Sequence, residues 1–202
     1  MAIISKADVD RMFVARDIDG LIRALTTAEN PDVRQLAAKV LGELGDPRAT
    51  EPLINALKDL DILRTEVAFS LGQMGEPAVE LLIRALADRE TRWGAVTALG
   101  AIGDKRAIEH ITKFCTSVDS LLRGAAVIAL GRIGGDSAVD TLISVVENEE
   151  GNIIRMSAIE ALGEIGGAGA REALIRATSH PHASTREAAE KALKKINTWR
   201  GD

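Results

Sequence analysis

The chain has 202 residues, a formal net charge of −5 with both signs interspersed, no Tyr, and only Phe13, Phe69, Phe114, Trp93 and Trp199 as aromatics. That balance argues against a nucleic-acid partner, which calls for a basic excess, and against an aromatic-lined cofactor pocket. No apolar run reaches the roughly eighteen residues of a membrane span, MAIISKADVDR is too short in apolar residues for a secretory leader, and Cys115 is the single cysteine, so the expectation is a cytoplasmic protein with no membrane partner, disulfide or cysteine zinc site.

In chain order, KADVDRMFVAR predicts a short capping helix over 5–15. Beyond it one phrase returns five times: LGELGDPRAT from Leu41, LGQMGEPAVE from Leu71, LGAIGDKRAI from Leu99, LGRIGGDSAV from Leu130 and LGEIGGAGAR from Leu162. The intervals of 30, 28, 31 and 32 residues mark structural repeats, each burying its apolar face by stacking on its neighbours. Within a unit, PDVRQLAAKVLGELG places Val33, Ala37, Val40, Leu41 and Leu44 at helical spacing, and RATEPLINALKD does the same with Leu53, Ile54 and Leu57. Each unit therefore predicts an antiparallel helix hairpin, with boundaries at 17–45, 46–75, 76–103, 104–134, 135–166 and 167–198 and a tail at 199–202.

Two glycine columns punctuate the units. Glycines 45, 75, 103, 134 and 166 follow the second helix, where a left-handed residue closes a helix end, and Pro31, Pro47, Pro77 and Pro181 fall at or beside helix starts. Glycines 42, 72, 100, 131 and 163 lie inside the second helix, at a cost of roughly 1 kcal/mol against alanine, and predict a close helix approach. The small residues Ala37, Val67, Ala95, Ala126, Ala158 and Ala189 are expected to support that approach. No strand precedes GRIGGD or GGAGA, so neither reads as a dinucleotide loop. Cys115 matches Leu57 and reads as a small buried hydrophobe. The last unit carries Lys194 in place of the helix glycine, as a solvent-facing cap should, and Lys191, Lys194, Lys195 and Arg200 complement the dipole of the last helix.

The pattern VRxxAAxxLGxLGDxRAxxPLIxAL resembles the short HEAT-like repeat of the phycobilisome-lyase type over residues 17 to 198. The resemblance implies an all-α fold, a right-handed α-solenoid of about six antiparallel helix pairs with terminal capping helices. Tetratricopeptide, ankyrin and leucine-rich signatures are absent. Arg34, Arg64, Arg92, Arg123, Arg155 and Arg186 recur at one repeat position, and the resemblance implies a structural ladder in which each pairs with the acid after LGxLG, at Asp46, Glu76 and Asp104. Gly135 and Gly167 replace that acid in the later units, so Arg155 is expected to matter less than Arg64.

The resemblance also places one face of the second helices on a concave side. There stand Gln35, Leu36 and Lys39; Ile62, Glu66 and Phe69; Trp93, Gly94 and Thr97; Leu121, Ala125 and Ile128; Ile153, Met156, Ser157 and Glu160; and Glu187 and Lys191. An apolar middle with a polar rim is the profile of a protein-binding surface. The expected function is a non-catalytic scaffold gripping a protein or peptide around Phe69, Trp93 and Ile128, or a second copy of the chain as a homodimer, with no cofactor. Enzyme alternatives come from the resemblance: some such proteins attach or isomerise bilins with a partner subunit, and a further relative, deoxyhypusine hydroxylase, binds two irons through His-Glu pairs. At comparable places this chain reads QLAAK, TEVAF, WGAVT, GAAVI, MSAIE and EAAEK, with no such pair, and its histidines are His110, His180 and His182. The acids at Asp59 and Asp61 and at Glu149 and Glu150 read as ordinary solvent-facing loop residues.

Overall fold

The computed structural model describes residues 3–59 and 64–198, the side chains of residues 197 and 198 aside. Ile62, Trp199 and Arg200 lie outside the described residues. Among those described there are thirteen α-helices, four short 3₁₀ turns and no strand. The chain divides into two compact units that meet at Ile102 and Gly103 in sequence.

The first unit opens with α1 (Lys6–Val14), capped as its sequence demands: the Ser5 hydroxyl accepts from Asp8 N–H while the Asp8 carboxylate accepts from Ser5 N–H. Then follow α2 (Ile18–Thr27), α3 (Pro31–Leu44), α4 (Thr50–Ala56), α5 (Arg64–Gln73), α6 (Val79–Ala85) and α7 (Arg92–Ile102). The helices α3, α5 and α7 pack side by side, with α2, α4 and α6 alongside them. The core is almost purely aliphatic: Leu21, Leu41, Leu53, Leu57, Leu71, Leu82 and Leu99 are fully buried, each contributing roughly 1.5–3 kcal/mol.

The second unit holds α8 (Ile108–Thr112), α9 (Ser120–Ile133), α10 (Asp136–Asn148), α11 (Asn152–Ile165), α12 (Gly167–Ala177) and α13 (Ala183–Thr198). Here α9, α11 and α13 pack in sequence around Ile111, Leu130, Leu142, Ile159 and Leu162. Cys115 is part of this core, where burial pushes its thiol up to about 12. It is a packing residue, not a nucleophile.

Both glycine columns have their physical cause in view. Glycines 45, 75, 103, 134 and 166 all have positive φ. Four of the in-helix glycines sit where neighbouring helices nearly touch: a Cβ on Gly42 would lie 2.7 Å from the Ser70 Cα, one on Gly72 2.7 Å from the Ala101 Cβ, one on Gly131 2.6 Å from the Ala161 Cβ, and one on Gly163 2.9 Å from the Ala192 Cβ. The close approach expected from sequence is therefore present, but its partners are these small residues. Ala37, Val67, Ala95, Ala126, Ala158 and Ala189 fill the core elsewhere, all of them fully buried.

The arginine column corrects the sequence reading. Asp46 and Asp104 do not serve the ladder. Each caps the 3₁₀ turn that it precedes and is bonded by the arginine two residues on, Arg48 and Arg106, whose guanidinium groups hold both carboxyls below the usual range. Five of the six ladder arginines instead reach back to the loop between their own helices. Arg34 donates to the carbonyls of Ala28 and Glu29, Arg92 to Leu86 and Ala87, Arg123 to Ser117 and Val118, Arg155 to Glu149 and Glu150, and Arg186 to His180 and Pro181. The offset is six and five residues in every case, which brings a cation to the orphan carbonyls at the end of the preceding helix. Where a carboxylate joins, it comes from the next loop along: Asp59 meets Arg34 at 2.7 Å and Glu149 meets Arg123 at 3.0 Å. These two acids are thus structural and partly buried, contrary to their reading as solvent-facing.

Where Gly135 and Gly167 replace the acid, the backbone takes two positive-φ residues in succession, Gly134–Gly135 and Gly166–Gly167, and α10 and α12 start at once without a 3₁₀ turn. Arg155, expected to matter less than Arg64, is 4 % exposed and additionally bonds the Thr185 hydroxyl.

Candidate functional site

The second helices of each unit carry side chains that the core does not use. On α3 of the first unit, Leu36 is half-buried and Lys39 is exposed, 3.9 Å from Glu43. Gln35, Leu36 and Lys39, with Lys6, Asp32 and the exposed Glu66, line a shallow depression of about 280 Å³, across which Lys6 and Asp32 pair at 2.8 Å. Phe69 on α5 stands 60 % exposed. Trp93 on α7 is half-buried, and Thr97 turns its hydroxyl inward to the Trp93 carbonyl. Gly94 is buried against Leu57, so it belongs to the core.

In the second unit Leu121 and Ile128 are exposed on α9, and Ile153, Met156 and Glu160 are exposed on α11. Phe69 and Ile128 occupy the same place in their repeats, two residues before the Leu-Gly pair, and Leu121 and Ile153 share another, nine residues before it. Phe69 and Trp93 stand in the first unit and Ile128 in the second, so each unit presents its own set.

Sequence reasoning gave less weight to a concave feature of the second unit. Between α11 and α13 runs a groove of about 820 Å³. Ile153, Met156 and Ser184 line it at one end, Glu160 and Glu187 in the middle, and Lys191 and Lys195 at the other. Ser184 donates to the Asn152 side chain at 2.9 Å, tying the starts of the two helices together. The signal was available at the repeat position of Phe69 and Ile128, which becomes Glu160 and then Lys191 in the last two units.

The Cys115 thiol is buried. His180 and His182 lie with ring centres 5.3 Å apart, and the His180 Nδ1 accepts from the His182 N–H. Burial, with Arg155, His182 and Arg186 nearby, holds His180 below its ordinary value. Among the described residues, no three His, Cys, Asp or Glu side chains are grouped to hold a metal ion. None of the helices in these residues is long and apolar enough to cross a membrane.

Comparison with known proteins settles the kind of repeat. The family model of HEAT repeats matches residues 18–90, 61–130, 79–163 and 116–194. The chain belongs to the HEAT-repeat family. An uncharacterised phycocyanin operon protein Z of Pseudanabaena tenuis is 32 % identical over 127 residues, covering 56 % of this chain and 63 % of that protein. The phycocyanobilin lyase subunit alpha of a Picosynechococcus species is 33 % identical over 137 residues, covering 57 % of this chain and 51 % of the relative. The matches thus span between half and two thirds of the length of these relatives. Among solved structures, human deoxyhypusine hydroxylase superposes with a TM-score of 0.54 at 25 % identity, covering 96 % of this HEAT-repeat chain and 78 % of that one.

Proposed function

We propose that this HEAT-repeat chain is a non-catalytic protein-binding module that works as one member of an assembly. The observation that carries the reading is the return of exposed apolar side chains at matched repeat positions, Phe69 with Ile128 and Leu121 with Ile153, where the core has no use for them. Exposed apolar side chains held at matched repeat positions are candidate anchors for a partner that would cover them. The test is cross-linking of the tagged chain in its native extract, wild type against Phe69→Asp and Ile128→Asp, with folding checked by circular dichroism. Adducts lost in the variants support the module; unchanged adducts refute these side chains as anchors. Light scattering on the same samples separates a homodimer from a foreign partner.

A second reading rests on the 33 % identity to a phycocyanobilin lyase subunit. In it the chain assists bilin attachment together with another subunit. Co-expression with an apo-phycocyanin subunit and phycocyanobilin tests it, and an unchanged absorbance spectrum with every subunit combination removes it.

A further inference from the structure

We propose that His180 is an acid-sensitive latch: its neutral ring holds the turn between α12 and α13, and with it the start of α13, against α11, and its protonation releases them. The repeat itself supplies the comparison. Glu149, before α11, and His180, before α13, each stand six residues ahead of a ladder arginine. Each gives that arginine its backbone carbonyl, Glu149 to Arg155 at 2.5 and 3.1 Å and His180 to Arg186 at 2.8 Å. Each side chain also accepts the N–H two residues on, the Glu149 carboxylate from Gly151 at 2.8 Å and the His180 Nδ1 from His182 at 3.2 Å. The same turn is therefore built twice, once around a carboxylate and once around an imidazole.

The two differ in how they meet the arginine of the preceding rung. Arg123 clasps the Glu149 carboxylate at 3.0 Å. The arginine in that place for His180 is Arg155, 4 % exposed, whose donors go to the Glu149 and Glu150 carbonyls and the Thr185 hydroxyl. The charges bearing on the half-buried ring are cations: Arg155 from α11, Arg186 from α13 and His182 from the turn. The charged neighbours on the flanking elements are engaged with one another, Arg176 of α12 with Glu147 and Glu172, and Glu149 with Arg123. A neutral Nδ1 offers a lone pair to the His182 N–H, whereas a protonated one carries a hydrogen there, loses the bond and adds a cation beside Arg155. Burial first, and then these cations, hold His180 below its ordinary value of 6.5. The unfolded chain thus takes up the proton more readily, so the contribution is complete above about pH 6.5 and is lost as pH falls below it. Thr185, fully buried under Arg155, and Ser184, tied to Asn152 at 2.9 Å, are the contacts of α13 next to the turn.

Hydrogen exchange by mass spectrometry on the full chain, at pH 7.5 and 5.5 with intrinsic rates corrected, tests this on wild type, His180→Asn and His182→Asn. Asn can accept from the same N–H without titrating. In wild type the amides of 186–190 are expected to open about three- to tenfold more at pH 5.5, within the tenfold per pH unit that one linked proton allows, while those of α3 and α5 stay unchanged. His180→Asn should abolish the dependence and His182→Asn should retain it. Equal protection of wild type at the two pH values, the same dependence in His180→Asn, or a loss shared equally by α3 and α5 overturns the proposal. Should His180→Asn prove unfolded by circular dichroism, NMR of wild type decides: a Thr185 amide shift that follows the titration of the His180 ring supports the latch, and one that does not overturns it.

Discussion

Arg155→Ala isolates what the arginine column does, because this arginine has no carboxylate after its Leu-Gly phrase and yet is the one ladder arginine that is buried, 4 % exposed. Its guanidinium donates to the carbonyls of Glu149 at 2.5 and 3.1 Å and of Glu150 at 3.2 Å, and to the Thr185 hydroxyl at 3.4 Å. A hydrogen bond from a charged donor has a net worth of about 1.5–3 kcal/mol, so three acceptors set an upper range of roughly 4–9 kcal/mol. Two effects reduce it: the loop carbonyls lie near the surface and regain water, and the desolvation cost of the buried cation disappears. The expected loss is about 3 kcal/mol, equivalent to about 6–12 °C in melting temperature for a chain of this size. Because repeat stacks can unfold piecewise, the assay is urea unfolding by circular dichroism combined with hydrogen exchange, and faster exchange is expected first in α12 and α13. Arg155→Lys should recover less than half, since one ammonium cannot span the carbonyl pair and the hydroxyl together. A loss below about 1 kcal/mol for Arg155→Ala, beside much larger losses for Arg34→Ala and Arg123→Ala, would refute the reasoning and return the ladder to its carboxylates.

Gly42→Ala gains about 1 kcal/mol of helix propensity but drives a Cβ into the Ser70 backbone, so a net loss of roughly 1–2 kcal/mol is expected by chemical denaturation. Thr50 has a buried hydroxyl with no partner, at the repeat position held by Val79 and Val139, so Thr50→Val should raise stability by about 1 kcal/mol, and a lowered melting temperature would contradict that account. Burial alone would raise the Glu149 carboxyl, but hydrogen bonds from Arg123 and the Gly151 N–H hold it below 4.5. A depressed carboxyl stabilises the fold fully above its unfolded value and loses that contribution as pH falls through the folded one, so wild type should weaken below about pH 4.5 and Glu149→Gln should flatten that acid limb in pH-dependent unfolding. With its thiol pushed up to about 12, folded Cys115 should resist a maleimide at pH 8 and react only on denaturation, as mass spectrometry would read.

Much of the fold was legible because the repeat wrote it five times. The Leu-Gly phrases, the stop glycines and the N-terminal capping helix are local facts of backbone and periodicity, and they locate helices without knowledge of what packs on what. Partners at a distance were less legible. Asp46 stood close to Arg34 in the family pattern, yet Arg48 lies two residues away from it and forms the bond first, while Asp59, dismissed as a loop acid, arrives beside Arg34 only when helices stack. The partners of the helix glycines were misassigned for the same reason, since Ser70 and Ala161 meet Gly42 and Gly131 from the next helix over. Exposure followed a similar division. Phe69, Ile128 and Ile153 are outward by helical phase alone, but the half-burial of Trp93 and the groove between α11 and α13 depend on neighbours. What the sequence by itself determined is the repeating helical hairpin, because propensity, capping and apolar period act within one or two turns of chain. Only the tertiary structure decided which carboxylates join the arginines, which charges go unpaired and where a concave surface opens, because each depends on side chains from segments about thirty residues apart meeting in space.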